Sequence, residues 1–480
     1  MPIDLKKPLS WRNAKHEEQQ MLQALQGNIL KGHGRPETTN IFFAFKDGKP
    51  HAWRRALREV AVFHVTSAHQ QLLETAAFQE CGKSGATFVA SFLSHKGYEA
   101  IERSAAAPKG EPLFEKGMHH SDSVHAVGDA PTDTWEPKLK DGIDGMILVG
   151  DMVRNRVRLK RDEIVKILVD SGAEIVYEQV GSALKDKSDN GIEHFGYVDG
   201  RSQPLLLVED IEKESRDAGI SKWDPKFPLS AALVAETVAA KGDIVSYGSY
   251  FVFRKLEQNV REFKRTEQIL ADKLGLKDSE KRERAGAQVV GRFEDGTPVT
   301  LSDEAQGENP RNDFNYQEDS GTRCPFQAHI RKVNPRSKPA DAGDERNHIM
   351  PRRGIPYEDQ MREMHPSDLP PCNNLADFKA FEKRLPVDKV GLLFMAYNSS
   401  LKDQFQFTQK KWANNAGFPK TGVGIDPVIG VGKANSPGPD WYRDWDDPAS
   451  LTEPFDFQGF VTMRGGEYFF APSLNFFKGL

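Results

Sequence analysis

The sequence predicts an α+β protein. Strand-like and helix-like runs are interleaved along the chain, and none of their junctions carries the glycine-rich phosphate loop of a nucleotide-binding α/β fold. A strong strand followed by an amphipathic helix occurs twice, at 40–61 and again at 248–275. The repetition is one of pattern, not of identity, and it predicts two halves, 1–242 and 243–480, with a boundary near residue 242.

In order, residues 10–26 read as a helix, with Ser10 as its cap and Met21, Leu22 and Leu25 on one face. A glycine-punctuated loop, 26–34, precedes the first clear strand, Asn40-Ile41-Phe42-Phe43-Ala44-Phe45. The helix after it has Trp53, Ala56, Leu57, Val60 and Ala61 on one face. Further strands are predicted at 86–92, 145–150 and 173–179, with a helix over 151–171. The stretch 180–206 is loop-rich. A strand at 248–256 opens the second half, followed by a long amphipathic helix over about 257–275. Polar, turn-rich segments at 301–320 and 334–347 lead to Gly391-Leu392-Leu393-Phe394-Met395-Ala396-Tyr397, the most apolar strand of the chain. A charged helix over roughly 400–412 and a loop at 422–430 come next. Strands at 460–463 and 468–472 flank Gly465-Gly466, a hairpin-like pair.

The bulk composition narrows the function. A 480-residue chain with 38% hydrophobic and 28% charged residues is a folded protein with ample core. Its net charge of −5 argues against a nucleic-acid or anionic-membrane partner. No run approaches the roughly 20 apolar residues of a membrane span. The three cysteines, Cys81, Cys324 and Cys372, are too few and too scattered for a disulfide framework. Met1-Pro2-Ile3-Asp4 leads straight into charged residues, with no apolar export signal. The expectation is a cytoplasmic protein.

Several residues could carry chemistry, and each alone has an ordinary structural explanation. His329, in Phe-Gln-Ala-His-Ile-Arg, can ligate a metal or haem iron or be a satisfied core histidine. Asp199 lies between Gly196 and Gly200, which permit a tight turn against something large, or simply an Asx-turn. Arg352 and Arg353 are flanked by Ile349, Met350 and Ile355, which could draw a guanidinium inward. Leu392 and Phe394 are alternate positions on an apolar strand. Gly422–Gly432 lacks the Lys-Ser/Thr of a phosphate loop. No Gly-x-Ser-x-Gly elbow is present, and Cys324 has no partner pattern for thiol catalysis.

Taken together, these segments resemble the dye-decolorizing peroxidases, a haem peroxidase family. Phe-Gly-Tyr-Val-Asp-Gly (195–200) is similar to the family's Gly-x-x-Asp-Gly signature, and Cys-Pro-Phe-Gln-Ala-His-Ile-Arg-Lys-Val-Asn-Pro-Arg (324–336) to its proximal-histidine segment. Arg-Arg-Gly-Ile-Pro-Tyr (352–357) resembles the distal-arginine segment. Residues 391–397 resemble the haem-lining strand, and 461–473 the C-terminal segment. The likeness runs in one order from about 26 to 473, and the insertions at 257–320 and 420–450 resemble the larger members. Glu358 departs from the glycine that often follows Ile-Pro-Tyr.

The resemblance implies two ferredoxin-like α+β domains with antiparallel sheets, and haem b held mainly by the second. Carried over, His329 is the iron ligand, Asp199 and Arg352 are the distal pair, and Leu392 and Phe394 line the pocket. Val198, Gly200 and Arg331 adjoin the cofactor. Asp403 is the expected carboxylate partner of His329. The implied reaction reduces hydrogen peroxide and oxidises dyes, phenols and other aromatic reductants, by a monomer or homodimer. Asp199 shuttles the proton and Arg352 stabilises charge. A carboxylate ordinarily stays ionised to lower pH than an imidazole, which predicts activity favoured at acidic pH. Trp412, Trp441, Tyr442 and Trp445, expected nearer the surface, are candidate electron relays, although simple packing explains each. A haem-storing or haem-iron-handling protein is the competing reading; His329 serves both, whereas Asp199 with Arg352 favours the enzyme.

Overall fold

The computed structural model describes residues 3–46, 48–140, 142–236, 245–307, 311–336, 345–432, 438–450 and 454–480. Among the described residues the main sheet has nine strands, eight of which make its continuous path: β1 (Glu37–Phe45), β2 (Phe88–Leu93), β3 (Gly145–Asp151), β4 (Ala173–Ser182), β5 (Tyr247–Gln258), β6 (Ile355–Glu358), β7 (Val390–Asn398) and β8 (Val461–Ala471); the short strand Val234–Ala235 pairs with β5 off that path. The helices that matter here are α1 (His16–Ala24), α2 (Pro50–Phe63), α3 (Ala68–Cys81), α4 (Arg154–Asp170), α5 (Val260–Lys273), α6 (Ser279–Val290) and α7 (His329–Val333).

The strand order is β4-β1-β3-β2-β8-β5-β7-β6, with every neighbouring pair antiparallel. Within the first half, strands one to four lie in the order 4-1-3-2. Counting β5 as the first strand of the second half gives the same order again. Each half is therefore a ferredoxin-like α+β unit, as expected from the repeated strand–helix start. The two units share one sheet. Phe470 of β8 pairs with Leu93 of β2. At the other margin β4 lies against β6, where a Cβ on Gly181 would come 2.7 Å from Ile355 Cγ2. Joining the halves in this way leaves neither an open edge at the junction. The boundary expected near residue 242 lies outside the described residues.

Aromatic side chains from both halves fill the space that the sheet curls around. Phe92 stacks on Phe251 at 4.3 Å, and Phe42 meets Phe253 edge-on at 4.9 Å. One cation sits among them: Lys255, 1% exposed, pairs with Asp359 and Glu136, donates to Tyr177 Oη at 2.9 Å and lies over the Tyr357 ring. These partners come from both halves, so the buried charge ties one unit to the other.

Three elements depart from the sequence expectation. The C-terminal strands are not a hairpin. Val461–Ala471 is one strand, with its register broken between Met463 and Gly465, which takes up φ +135°. A glycine pair at a bulge and one at a turn look alike in sequence. The first helix begins at His16, not Ser10: Glu18 folds back onto the Lys15 amide, while the Ser10 hydroxyl donates to Glu209. The helix predicted over 400–412 is wound at π pitch through Lys402–Gln406 and Thr408–Ala413.

Candidate functional site

A cavity of about 320 Å³, in the range of cofactor sites, opens between the second unit's sheet and the segments 193–203, 329–336, 348–354 and 428–431. Strand alternation builds one wall. On β7, Leu393 and Met395 enter the core, so Leu392 and Phe394 must face the cavity. Their ladder partners on β5 are Leu256 and Arg254, and Val461 and Met463 of β8 extend the surface. Leu392 and Phe394 both line the cavity. Arg254 is neutralised by Asp129, at 2.6 Å.

His329 enters from α7. Its Nδ1 meets Asp426 Oδ2 at 2.9 Å, which leaves Nε2 as the free ring nitrogen of a side chain lining the cavity. Burial works against the imidazolium, but Asp426 more than offsets it and the His329 pKa is raised. Asp426 is fully buried. Burial alone would raise its pKa, yet His329 and the amides of Val428 and Ile429, which donate to Oδ1, hold it below the usual carboxylate range. A carboxylate behind an imidazole fixes its tautomer and strengthens it as a donor.

Asp403 does not fill this role. It is exposed, its carboxylate accepts from Ser400, and its carbonyl faces His348. The turn at the start of the π-wound helix carries it away from His329. Asp426 was missed because it sits in the loop 422–432, weighed only as a phosphate loop. A lone carboxylate among Ile425, Val428 and Ile429 was the available signal. Arg331 also departs from expectation. Its guanidinium binds Asp319 and the Cys324 carbonyl and lies over Tyr316 and Phe326, away from the cavity.

The Asp199 loop supplies the polar side. Glu193 accepts from the amides of Phe195 and Tyr197, and from Gln258, curling the chain. Gly196 and Gly200 take φ of +99° and +80°, and the Gly200 amide donates to Asp199 Oδ1 at 2.6 Å. Val198, Asp199 and Gly200 all line the cavity. Burial pushes Glu193 up to about 7.

Of the two neighbouring arginines, Arg353 is committed elsewhere. It donates to the carbonyls of Asn28, Ile29 and Arg352. Arg352 is placed by its own amide on Gln203 and by its guanidinium on the Arg201 carbonyl. Burial lowers its pKa, and the charge of Asp199 works in the opposite direction. Arg352, Asp199 and His329 all line this one cavity, and the charges of the first two act on His329.

Arg292 and Arg336, 4% and 2% exposed, also line the cavity. They donate to Ser202, Asn312 and main-chain carbonyls. Burial pulls their pKa values down to about 10 and about 9. Neither has a carboxylate partner among the described residues, and buried cations that face a cavity in this way suit an anionic ligand. An imidazole backed by a carboxylate, an apolar wall and two such cations fit haem, with its iron and two carboxylate side chains. Neither arginine stood out in sequence, although Arg336 closes the His329 motif. The candidate relay aromatics are deeper than expected: Trp412, Trp441 and Trp445 are buried, and only Tyr442 is half-buried.

Residues 24–183 match the model of the DyP dimeric alpha+beta barrel domain family. The chain is 43% identical to the multifunctional dye peroxidase DyP2 of Amycolatopsis sp. over 100% of both chains. It superposes on the structure of that protein with a TM-score of 0.90, at 40% identity and full coverage of both. A DyP-type peroxidase from Anabaena sp. gives a TM-score of 0.88 at 36% identity, covering 99% of this chain and 98% of the other. The chain therefore belongs to the dye-decolorizing peroxidase family and is a haem-dependent peroxidase.

Proposed function

We propose that this enzyme binds haem b through His329 and reduces hydrogen peroxide with Asp199 and Arg352, taking single electrons from dyes, phenols and other aromatic reductants. The observation that carries the proposal is the convergence of His329, braced by Asp426, with Asp199 and Arg352 on one cavity. Haem, when bound, supplies a redox-active iron that takes up the two oxidising equivalents of peroxide. The protein supplies the rest. With haem in place, Asp199 would accept a proton from one peroxide oxygen and return it to the other. Arg352 stabilises the negative charge that develops on the departing oxygen. Leu392 and Phe394 keep the space small and apolar, so peroxide enters while bulky dyes do not. Arg292 and Arg336 would hold the carboxylates of haem.

The haem-binding unit is 243–480, joined at the cavity by the 193–203 segment of residues 1–242. The three thiols, one exposed and two buried, suit a reducing, cytoplasmic setting. No helix among the described residues is long and apolar enough to cross a membrane. Titrating haem into haem-free protein tests the proposal. The wild type gains a sharp Soret band, whereas His329→Ala gains one only when imidazole is supplied. An identical band in both proteins without imidazole would contradict it.

A further inference from the structure

The segment that delivers Asp426 lies between the π-wound helix and the cavity; the Asp426 amide donates to the Ala413 carbonyl at the end of that helix, at 2.8 Å, while the stretch before it, 415–424, is built of turns. Three of its carbonyls, those of Asn415, Phe418 and Gly424, converge on a single donor. Lys332 Nζ reaches them at 2.8, 2.7 and 2.6 Å. Lys332 is wholly buried and lies one helical turn after His329 on α7. An ammonium has three protons to give and no acceptor, and here all three are used. Burial lowers its pKa to about 8, and the negative charge of Asp426 works in the opposite direction. One short helix thus carries both the imidazole and the group that grips the loop bringing its partner.

We infer that Lys332 is a positioning residue: by clasping residues 415–424 to α7 it holds Asp426 against His329 Nδ1 and so sets the donor strength of the imidazole. The inference rests on His329 being the haem ligand. Without the ammonium, the buried Gly424 carbonyl loses its donor and the part-buried carbonyls of Asn415 and Phe418 lose their tie to α7, so the loop must shift to find others. Asp426 then leaves His329, and the imidazole becomes a weaker ligand.

The test uses holoenzyme and two readouts that do not depend on turnover. In Lys332→Met the iron–histidine stretch of the ferrous protein moves to lower frequency and the iron(III)/iron(II) potential rises. Both changes follow the direction of Asp426→Asn, and the double variant moves no further than Asp426→Asn alone. A Lys332→Met protein with lowered stability but an unmoved stretch and potential overturns the inference. A wild-type ferrous spectrum with no iron–histidine band overturns it together with the ligand assignment. If Lys332→Met does not accumulate folded, Lys332→Gln, which keeps two donors and no charge, carries the same expectations and the same refuting result.

Discussion

His329 and Asp426, 97 positions apart in the chain, are joined at 2.9 Å through Nδ1 and Oδ2. An amide in place of the carboxylate can still accept the Nδ1 proton but brings no charge. Asp426→Asn is therefore expected to raise the iron reduction potential and lower turnover about 10- to 100-fold. Potentiometry and steady-state rates check this against Asp403→Asn, which is expected to leave both unchanged because Asp403 is occupied by Ser400.

Arg336 donates through both terminal nitrogens, to Ser202 and Asn312 among others, while lining the cavity. If its charge pairs with a haem carboxylate, Arg336→Met weakens haem retention about tenfold, the value of roughly 1.4 kcal/mol in such a contact. The rate at which haem passes to a scavenging apo-globin measures it. An unchanged rate would remove Arg336 from the haem-binding set.

Lys255 joins the two units through Asp359, Glu136 and Tyr177. Lys255→Met leaves these carboxylates facing a site that has lost its cation. The expected loss is about 2 kcal/mol, less than for a fully enclosed pair because Asp359 and Glu136 are partly exposed. Denaturant unfolding reads the loss, and the Soret band is expected to stay where it is.

Burial raises Glu193 from 4.5 to about 7. The folded protein therefore keeps this proton over a pH range in which the unfolded chain has released it. The contribution is complete below about 4.5 and is lost as pH rises through about 7. Across that window Glu193→Gln should gain on the wild type by up to about 3 kcal/mol. The difference in melting temperature between the two proteins, taken at pH 5 and again at pH 8, shows the gain. The same difference at both pH values would contradict it.

Much of this was legible in the sequence, for identifiable reasons. Strands such as Asn40–Phe45 and Gly391–Tyr397 are unbroken apolar runs, and the two strand–helix starts mark the two units. His329, Asp199 and Arg352 sit in motifs whose glycines and prolines punctuate the chain. What was not legible depends on distant packing. Asp426 meets His329 across 97 positions, its amide held by the Ala413 carbonyl and the loop before it by Lys332 of α7, and nothing local to 422–430 encodes that. Arg331 and Arg336 lie in one motif, yet Arg331 is claimed by Asp319 and only Arg336 reaches the cavity. Gly465 was read as a turn because a bulge needs the same residue.

In the proposed reaction Asp199 moves the peroxide proton while Arg352 stabilises the departing oxygen. Rapid mixing of holoenzyme with hydrogen peroxide, followed by the change in the haem spectrum, measures both roles. The second-order rate is expected to fall about 100- to 1,000-fold in Asp199→Asn and in Arg352→Ala, with the resting Soret band retained in both. Wild-type rates in both variants would contradict it.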